Sequence, residues 1–340
     1  MKKSVNLMME LFDILCAPRL LATGLLAAMA LSASPASHAQ GFPSKSLRLI
    51  VPAAPAGPTD ILGRLVGAEM AKDLGRPVVV ENRAGGDGAI GADAVAKSPP
   101  DGHTICFCTT GAVVILPILE PKLPYDVARD FAAVGQVFRA VSVFIARIDL
   151  PAANLRQLVA YAKANPGKVT YGTAQSGSPQ HIAGETLRSL AGIDILHIPF
   201  KGAQPALNEL LGGRLDFQVG TVLITDPLYR AGKVKILAVT GPVRWASWPE
   251  VPTVIESGFP GFDASDTLVG LHVSAGTPTA IIERLHASLL AALAAPSVTE
   301  RFANAGVTAV GSRPEVYSAF LVKERERFAR IIKQIGAKRD

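Results

Sequence analysis

Ser178 and His181 are the nearest approach in this 340-residue sequence to a nucleophile beside a base. A serine hydroxyl needs an imidazole within hydrogen-bond reach, and the imidazole needs a carboxylate to orient it. Ser176 adds a second hydroxyl nearby, but no acid stands where either pair could use it. Neither Gly-x-Ser-x-Gly nor His-Glu-x-x-His occurs. His103, His181, His197, His272 and His286 lie far apart, none at zinc-like spacing, so no metal is expected. A histidine in the first turn of a helix is more often a packing or capping residue than a base. A hydrolase using Ser178 and His181 stays as the alternative reading.

Gly86-Asp87-Gly88-Ala89-Ile90-Gly91 matches the Gly-x-Gly-x-x-Gly turn that brings a pyrophosphate onto backbone. The acidic residue expected ~20 positions on is missing, because Asp101 falls in a Pro-Pro-Asp-Gly turn. The segment reads as a tight glycine-rich turn, and no cofactor is expected.

The pattern that does recur is a strand feeding a small-residue loop that feeds a helix. Pro52-Ala-Ala-Pro-Ala-Gly-Pro-Thr59 precedes Asp60, and Ala174-Gln-Ser-Gly-Ser178 precedes Pro179. Such loops aim several N–H groups at the positive end of a helix dipole, which suits an anion. Small side chains let a ligand reach that backbone. Thr109-Thr110-Gly111-Ala112 follows a further strand at the equivalent sheet edge. Ordinary connection chemistry accounts for one such loop; three suggest a carboxylate-binding cleft.

The elements that hold these loops alternate strand, turn and helix. Leu47–Val51, Val78–Val80, Thr104–Thr109, Val169–Thr173, Ile195–Phe200, Leu215–Val219 and Ile236–Thr240 read as strands. Helices follow at Asp60, near Ala92–Lys97, after the Asn154 cap, after Ser178-Pro179, from Pro205, and after Asp226-Pro227. Pro278–Ala295 and Pro314–Ile335 read as two long terminal helices. The alternation implies parallel sheets covered by helices, an α/β fold. A chain of this length exceeds one core, so two domains are expected.

Lys2, Lys3 and Arg19 precede the apolar stretch Leu20–Leu31, and Ser37-His38-Ala39 offers small residues for cleavage after Ala39. The run is shorter than the ~20 residues that span a bilayer. Residues 1–39 therefore read as a secretory leader. Without them about 31 basic and 26 acidic groups remain, a net charge near +5. The basic residues are scattered, and Lys323–Lys333 is interleaved with acids as on a solvated helix, so no nucleic-acid footprint exists. Cys106 and Cys108 stand two apart on a strand, where a bridge would be strained; two buried thiols are expected.

The chain resembles the substrate-binding proteins of tripartite tricarboxylate transporters, the Bug-type periplasmic receptors. The resemblance rests on Arg48-Leu-Ile-Val-Pro52 with Ala54-Pro55-Ala-Gly57 and Asp60, and on Val79-Val-Glu-Asn-Arg83. It continues in Pro100-Asp-Gly102, Pro124-Tyr125-Asp126, His181-Ile-Ala-Gly-Glu185 and, most distinctively, Ile198-Pro-Phe-Lys-Gly202 with Leu210-Leu-Gly-Gly213. It implies a two-lobed periplasmic-binding-protein fold of the Venus flytrap, type II kind, with crossover strands near Phe138–Ile145 and Ala264–Ser274. Residues 40–142 and 263–340 would form domain 1, and residues 143–262 domain 2. A small carboxylate would lie between them, held by Ala54, Pro55, Ala56, Gly57 and Thr59, and by Ala174, Gln175, Ser176, Gly177 and Ser178. Thr109 and Thr110 would add hydroxyls, Lys201-Gly202 would border the cleft, and Asp60 and His181 would serve their own helices. The implied partners are membrane permease subunits, with the receptor itself an exported, periplasmic monomer and not an enzyme. A ligand sensor that presents its closed form to a signalling partner is a further option.

Four departures from the family pattern bear on the ligand. Ala56 replaces a usual glycine and should restrict that loop. Gln218-Val219-Gly220 carries no acid, Leu268 stands where an aromatic is common, and Val113-Val-Ile-Leu116 replaces a more polar stretch. These changes suggest a carboxylate with a less polar or bulkier tail, such as an aromatic acid.

Overall fold

The computed structural model describes residues 41–263 and 266–336, and the expected leader with its cleavage site after Ala39 lies outside them. β1 (Leu47–Val51) is buried almost throughout, as a central parallel strand requires. It leads into α1 (Pro58–Leu74), whose Leu62, Val66, Met70 and Leu74 recur at helical spacing on the buried face. β2 (Val78–Asn82) pairs parallel with one edge of β1. A 3-10 turn, Gly86–Gly88, then opens α2 (Ala89–Ala96), and β3 (Thr104–Thr109) takes the other edge of β1. A π-helical turn at Gly111–Ile115 and the short helices α3 (Leu116–Leu119) and α4 (Val127–Asp130) lead to β4 (Phe131–Arg147).

Strand and helix then alternate strictly. α5 (Leu155–Ala164), β5 (Val169–Thr173), α6 (Pro179–Ala191), β6 (Ile195–Pro199) and α7 (Ala203–Leu211) precede β7 (Phe217–Thr221), α8 (Val222–Arg230) and β8 (Val234–Val239). The chain returns through β9 (Asp266–Ser274) and ends with α9 (Thr279–Ala294), α10 (Pro296–Asn304), β10 (Val307–Ala309) and α11 (Pro314–Ile335).

The strands run in the order β2-β1-β3-β9-β4-β7-β5-β6, with β8 and β10 also on β4. β4 joins the two halves. Phe131–Val141 pairs antiparallel with β9, and from Ser142 onward the same strand pairs with β7 and β8 instead. One strand of 17 residues therefore runs through both lobes of a periplasmic-binding-protein fold. Strands β1, β3, β5, β6 and β7 all end at loops on the face between the lobes, where ligands of open α/β sheets bind. The C-terminal α11 packs on both β4 and α6.

Several elements differ from the sequence reading. Cys106 and Cys108 are joined as a disulfide rather than left as thiols: their Cα atoms lie 5.1 Å apart, closer than the ~6.6 Å of two extended residues, so the strand is locally contracted. Asp226-Pro227 does not cap a helix but lies inside α8, which begins at Val222. Asp226 instead bonds Arg230 one turn on, at 2.9 Å, and Nε1 of Trp248, also at 2.9 Å. α7 starts at Ala203, before Pro205, and β7 sits two residues later than expected. Gly91 explains the glycine motif without a nucleotide. A Cβ there would stand 2.9 Å from both the Arg83 carbonyl oxygen and the Pro52 ring, so only glycine lets α2 pack so close.

Candidate functional site

A cavity of about 490 Å³ lies between the lobes, walled by the ends of the strands just named. Lobe 1 gives Pro52–Pro55, Gly57–Thr59, Ala84–Asp87, Thr109 and Gly111. Lobe 2 gives Ala174, Gln175, Ser178–Gln180, Phe200–Pro205 and Val219–Thr221. The floor is apolar: Phe138, Ala140, Val269, Leu223 and Val307 line it. The loops meet above it. Gln175 Nε2 donates to the Asp87 carbonyl oxygen at 2.8 Å, and a Cβ on Gly202 would stand 3.3 Å from that of Ala54.

Four helices begin at this cavity: α1, α6, α7 and α8. An N-terminus leaves its first N–H groups without intrahelical partners and carries about half a positive charge. In α1, α7 and α8 no side chain caps those groups; the N-cap residues are Gly57, Gly202 and Thr221. α6 is capped. Ser178 Oγ accepts the His181 N–H at 3.1 Å and donates to the Gln175 carbonyl oxygen at 2.8 Å. Pro179, first in that helix, has no N–H to satisfy.

The first loop is held from below by Asp60. Its Oδ2 accepts the Ala56 N–H at 2.8 Å, and its Oδ1 takes Asn82 Nδ2 at 2.9 Å and Arg64 Nε at 2.9 Å. Burial pushes this carboxyl up, but the bonds from Arg64, Ala56 and Asn82 outweigh it and hold it below the usual carboxylate range. Ala56 itself sits at φ 60°, the left-handed region where a side chain is strained. The restriction expected from the missing glycine is thus visible in the backbone.

Of the residues expected at the site, Ala54, Pro55, Gly57, Thr59, Thr109, Ala174, Gln175, Ser178, Lys201 and Gly202 line the cavity. The other four, Ala56, Thr110, Ser176 and Gly177, do not. Ala56 gives its N–H to Asp60 instead of facing the cavity. Thr110 is fully buried, its hydroxyl donating to the Leu268 carbonyl oxygen and accepting the Leu268 N–H, so it fastens β9 and does not line the cavity. Ser176 and Gly177 are buried under their loop. The His181 ring stacks on His197 with centroids 4.1 Å apart, and its Nδ1 accepts the Gly177 N–H at 3.2 Å. Ser178 therefore meets the backbone of His181, and its hydroxyl is occupied as a cap.

Two departures read as facing the cleft, Leu268 and Val113–Leu116, do not, and of Gln218-Val219-Gly220 only Val219 and Gly220 line it. Leu268 and Val113–Leu116 are packed into the hydrophobic core, and Gln218 is buried with Nε2 on the Ala203 carbonyl oxygen at 3.1 Å. The apolar floor comes from other residues, Phe138, Ala140, Val269 and Val307, which the sequence reading missed. It also missed Gln180 and Thr267, the polar side chains among them. Strand alternation held a signal: Thr267 and Val269 flank Leu268 and take the opposite face.

A family model described as the tripartite tricarboxylate transporter family receptor matches residues 62–337. A Pseudomonas sp. (strain P51) protein, described as the UPF0065 protein in the tcbD-tcbE intergenic region, is 37% identical over 91% of this chain and 92% of its own. The structure of R. palustris Rpa4515 with adipate is 30% identical with a TM-score of 0.84, covering 88% of this chain and all of that one. MatC from Rhodopseudomonas palustris with bound malate is 32% identical with a TM-score of 0.80, over 86% of this chain and all of that one.

Proposed function

The chain belongs to the tripartite tricarboxylate transporter receptor family, and from that premise we propose that it captures a small carboxylate between its lobes and delivers it to membrane permease subunits. The family and the fold are those of periplasmic solute-binding proteins, and not of enzymes. What carries the carboxylate reading is the convergence of four helix N-termini, three without a side-chain cap, on one cavity. An anion there meets first-turn backbone N–H groups that no capping side chain occupies. Each charge-assisted bond contributes ~1.5–3 kcal/mol net, so a few reach the roughly −8 kcal/mol of micromolar binding. Lys201, exposed at the cavity's edge, adds a cation that draws acids inward.

The apolar floor supports a ligand with a carboxylate head and an apolar or aromatic body. Two related structures hold adipate and malate, so the carboxylate is common ground and the body is where this chain is read separately. Residues 1–39 are read as the leader that sends the receptor to the periplasm. Residues 40–142 with 263–340, and residues 143–262, are read as its two domains, a division supported by the partner change in β4 between Val141 and Ser142. Binding selects the closed arrangement, because only there do both lobes contribute donors to one anion.

Titration calorimetry with a panel of mono- and dicarboxylates tests the reading. Micromolar binding of monocarboxylates with apolar or aromatic bodies is expected. Binding of small dicarboxylates alone would remove the apolar-body reading, and no binding by any acid would remove the carboxylate itself. Copurification with permease subunits tests the partner.

A further inference from the structure

We propose that Gln180 reads a hydroxyl on the body of the bound acid, an inference that rests on the carboxylate reading above. Gln180 is the second residue of α6 and is buried, 7% exposed. It reaches under the cavity to both strands that run between the lobes. Nε2 donates to Ser142 Oγ on β4 at 3.1 Å and to Thr267 Oγ1 on β9 at 2.9 Å. A side-chain amide has two N–H donors, and here both are used. The carbonyl oxygen Oε1 is left over, and Gln180 lines the cavity.

The register places its two partners beside the cavity. Thr267 stands opposite Ala140, and Ser142 is where β4 changes partners. Ala140, Thr267 and Val269 are all part of the cavity floor. Gln180 therefore presents an acceptor beside apolar side chains of the cavity, two residues beyond the Ala174–Ser178 loop proposed to hold the carboxylate. An amide oxygen that the bound ligand shuts off from water gains from a donor and loses if the ligand offers none. The donor is neutral, because an ammonium against one amide oxygen and apolar walls would go uncompensated. A hydroxyl fits. Ser142 and Thr267 act as positioning residues, since they hold the amide so that its oxygen faces the ligand. The ligand class is then a hydroxylated acid on an apolar or aromatic frame.

The test compares two acid series by calorimetry, phenylacetate and hexanoate, each with a hydroxyl placed at every available carbon, together with the methyl ethers of the hydroxylated members. At least one hydroxy acid is expected to bind roughly 3- to 10-fold tighter than its parent, while its ether, which cannot donate, loses that advantage. In Gln180→Met the ratio of hydroxy acid to parent falls to about one. Thr267→Val, which releases one amide hydrogen, lowers the same ratio and carries the test if Gln180→Met does not fold. Acids that bind with no preference for a hydroxyl, ethers that bind as well as alcohols, or a preference that survives both substitutions would overturn the assignment while leaving carboxylate capture standing. If no member of either series binds, the carboxylate reading fails and this inference with it.

Discussion

The side-chain amide of Gln175, in the loop before α6, donates to the main-chain carbonyl of Asp87, in the turn before α2, at 2.8 Å. The two loops belong to different lobes, so this bond exists only while the lobes are closed on the cavity. Gln175→Ala should favour the open form and lower ligand affinity roughly 3- to 10-fold, the worth of one net hydrogen bond. Calorimetry on the two proteins with one acid measures it, and solution scattering should show a more extended unliganded variant. Equal affinities would mean that the bond forms without contributing to closure.

Ala56 at φ 60° gives a second test. A left-handed alanine costs ~1–2 kcal/mol, whereas glycine returns some of that gain as unfolded-chain entropy, about 0.4–1 kcal/mol. Ala56→Gly should therefore stabilise the protein by about 0.5–1 kcal/mol. Ala56 is exposed and its N–H already serves Asp60, so the substitution removes no packing and no bond. Urea melts read the change as a higher midpoint with an unchanged slope. A lower midpoint would show that the loop is not strained at this residue.

These two loops were legible from sequence because their signals are local. Ser178-Pro179 announces a helix start wherever it occurs, and the structure begins α6 at Pro179 with Ser178 as its cap. Pro314–Ile335 is likewise read from its own periodicity and forms α11. The cavity floor was not legible for the opposite reason. Whether Leu268 or its neighbours Thr267 and Val269 face the ligand depends on how β9 registers against β4, and alternation alone does not say which face is buried. Asp226-Pro227 misled because a local cap signal was outweighed by context. α8 starts directly from β7, and the helix tolerates Pro227 in its interior while Asp226 anchors Trp248. Cys106 and Cys108 misled because ideal strand geometry was assumed where the chain is contracted.

Ser178→Ala separates capping from catalysis. The hydroxyl accepts the His181 N–H and donates to the Gln175 carbonyl oxygen, so its loss removes both a helix cap and a tie inside the loop. The expected cost is ~1–2 kcal/mol of stability. Since the hydroxyl is engaged by backbone, esterase assays with activated esters should show no Ser178-dependent turnover in either protein. Turnover that disappears with the hydroxyl would restore the hydrolase.

His272 sets the dependence of stability on acid. It lies in β9 opposite Cys106 and packs against Phe131 and Tyr317, with ring centroids 5.9 and 5.3 Å away. Burial lowers its pKa to about 4, outweighing the help of the Gly270 backbone. Tyr317, the titratable group facing it, is itself raised by burial and stays neutral, and Cys106 is bonded to Cys108. An unfolded chain protonates this histidine near pH ~6.5. Between that value and about 4 the unfolded state therefore binds a proton that the folded state refuses. Stability should fall as pH drops through this window, by on the order of 3 kcal/mol in all, and this group adds no further slope below it. His272→Phe keeps an aromatic ring in an aromatic site and removes the proton. Urea melts at pH values inside and above the window should give a shallower profile for the variant, with the two curves diverging toward acid. Parallel curves would show that His272 is protonated alike in both states, and that the acid sensitivity of the fold arises elsewhere.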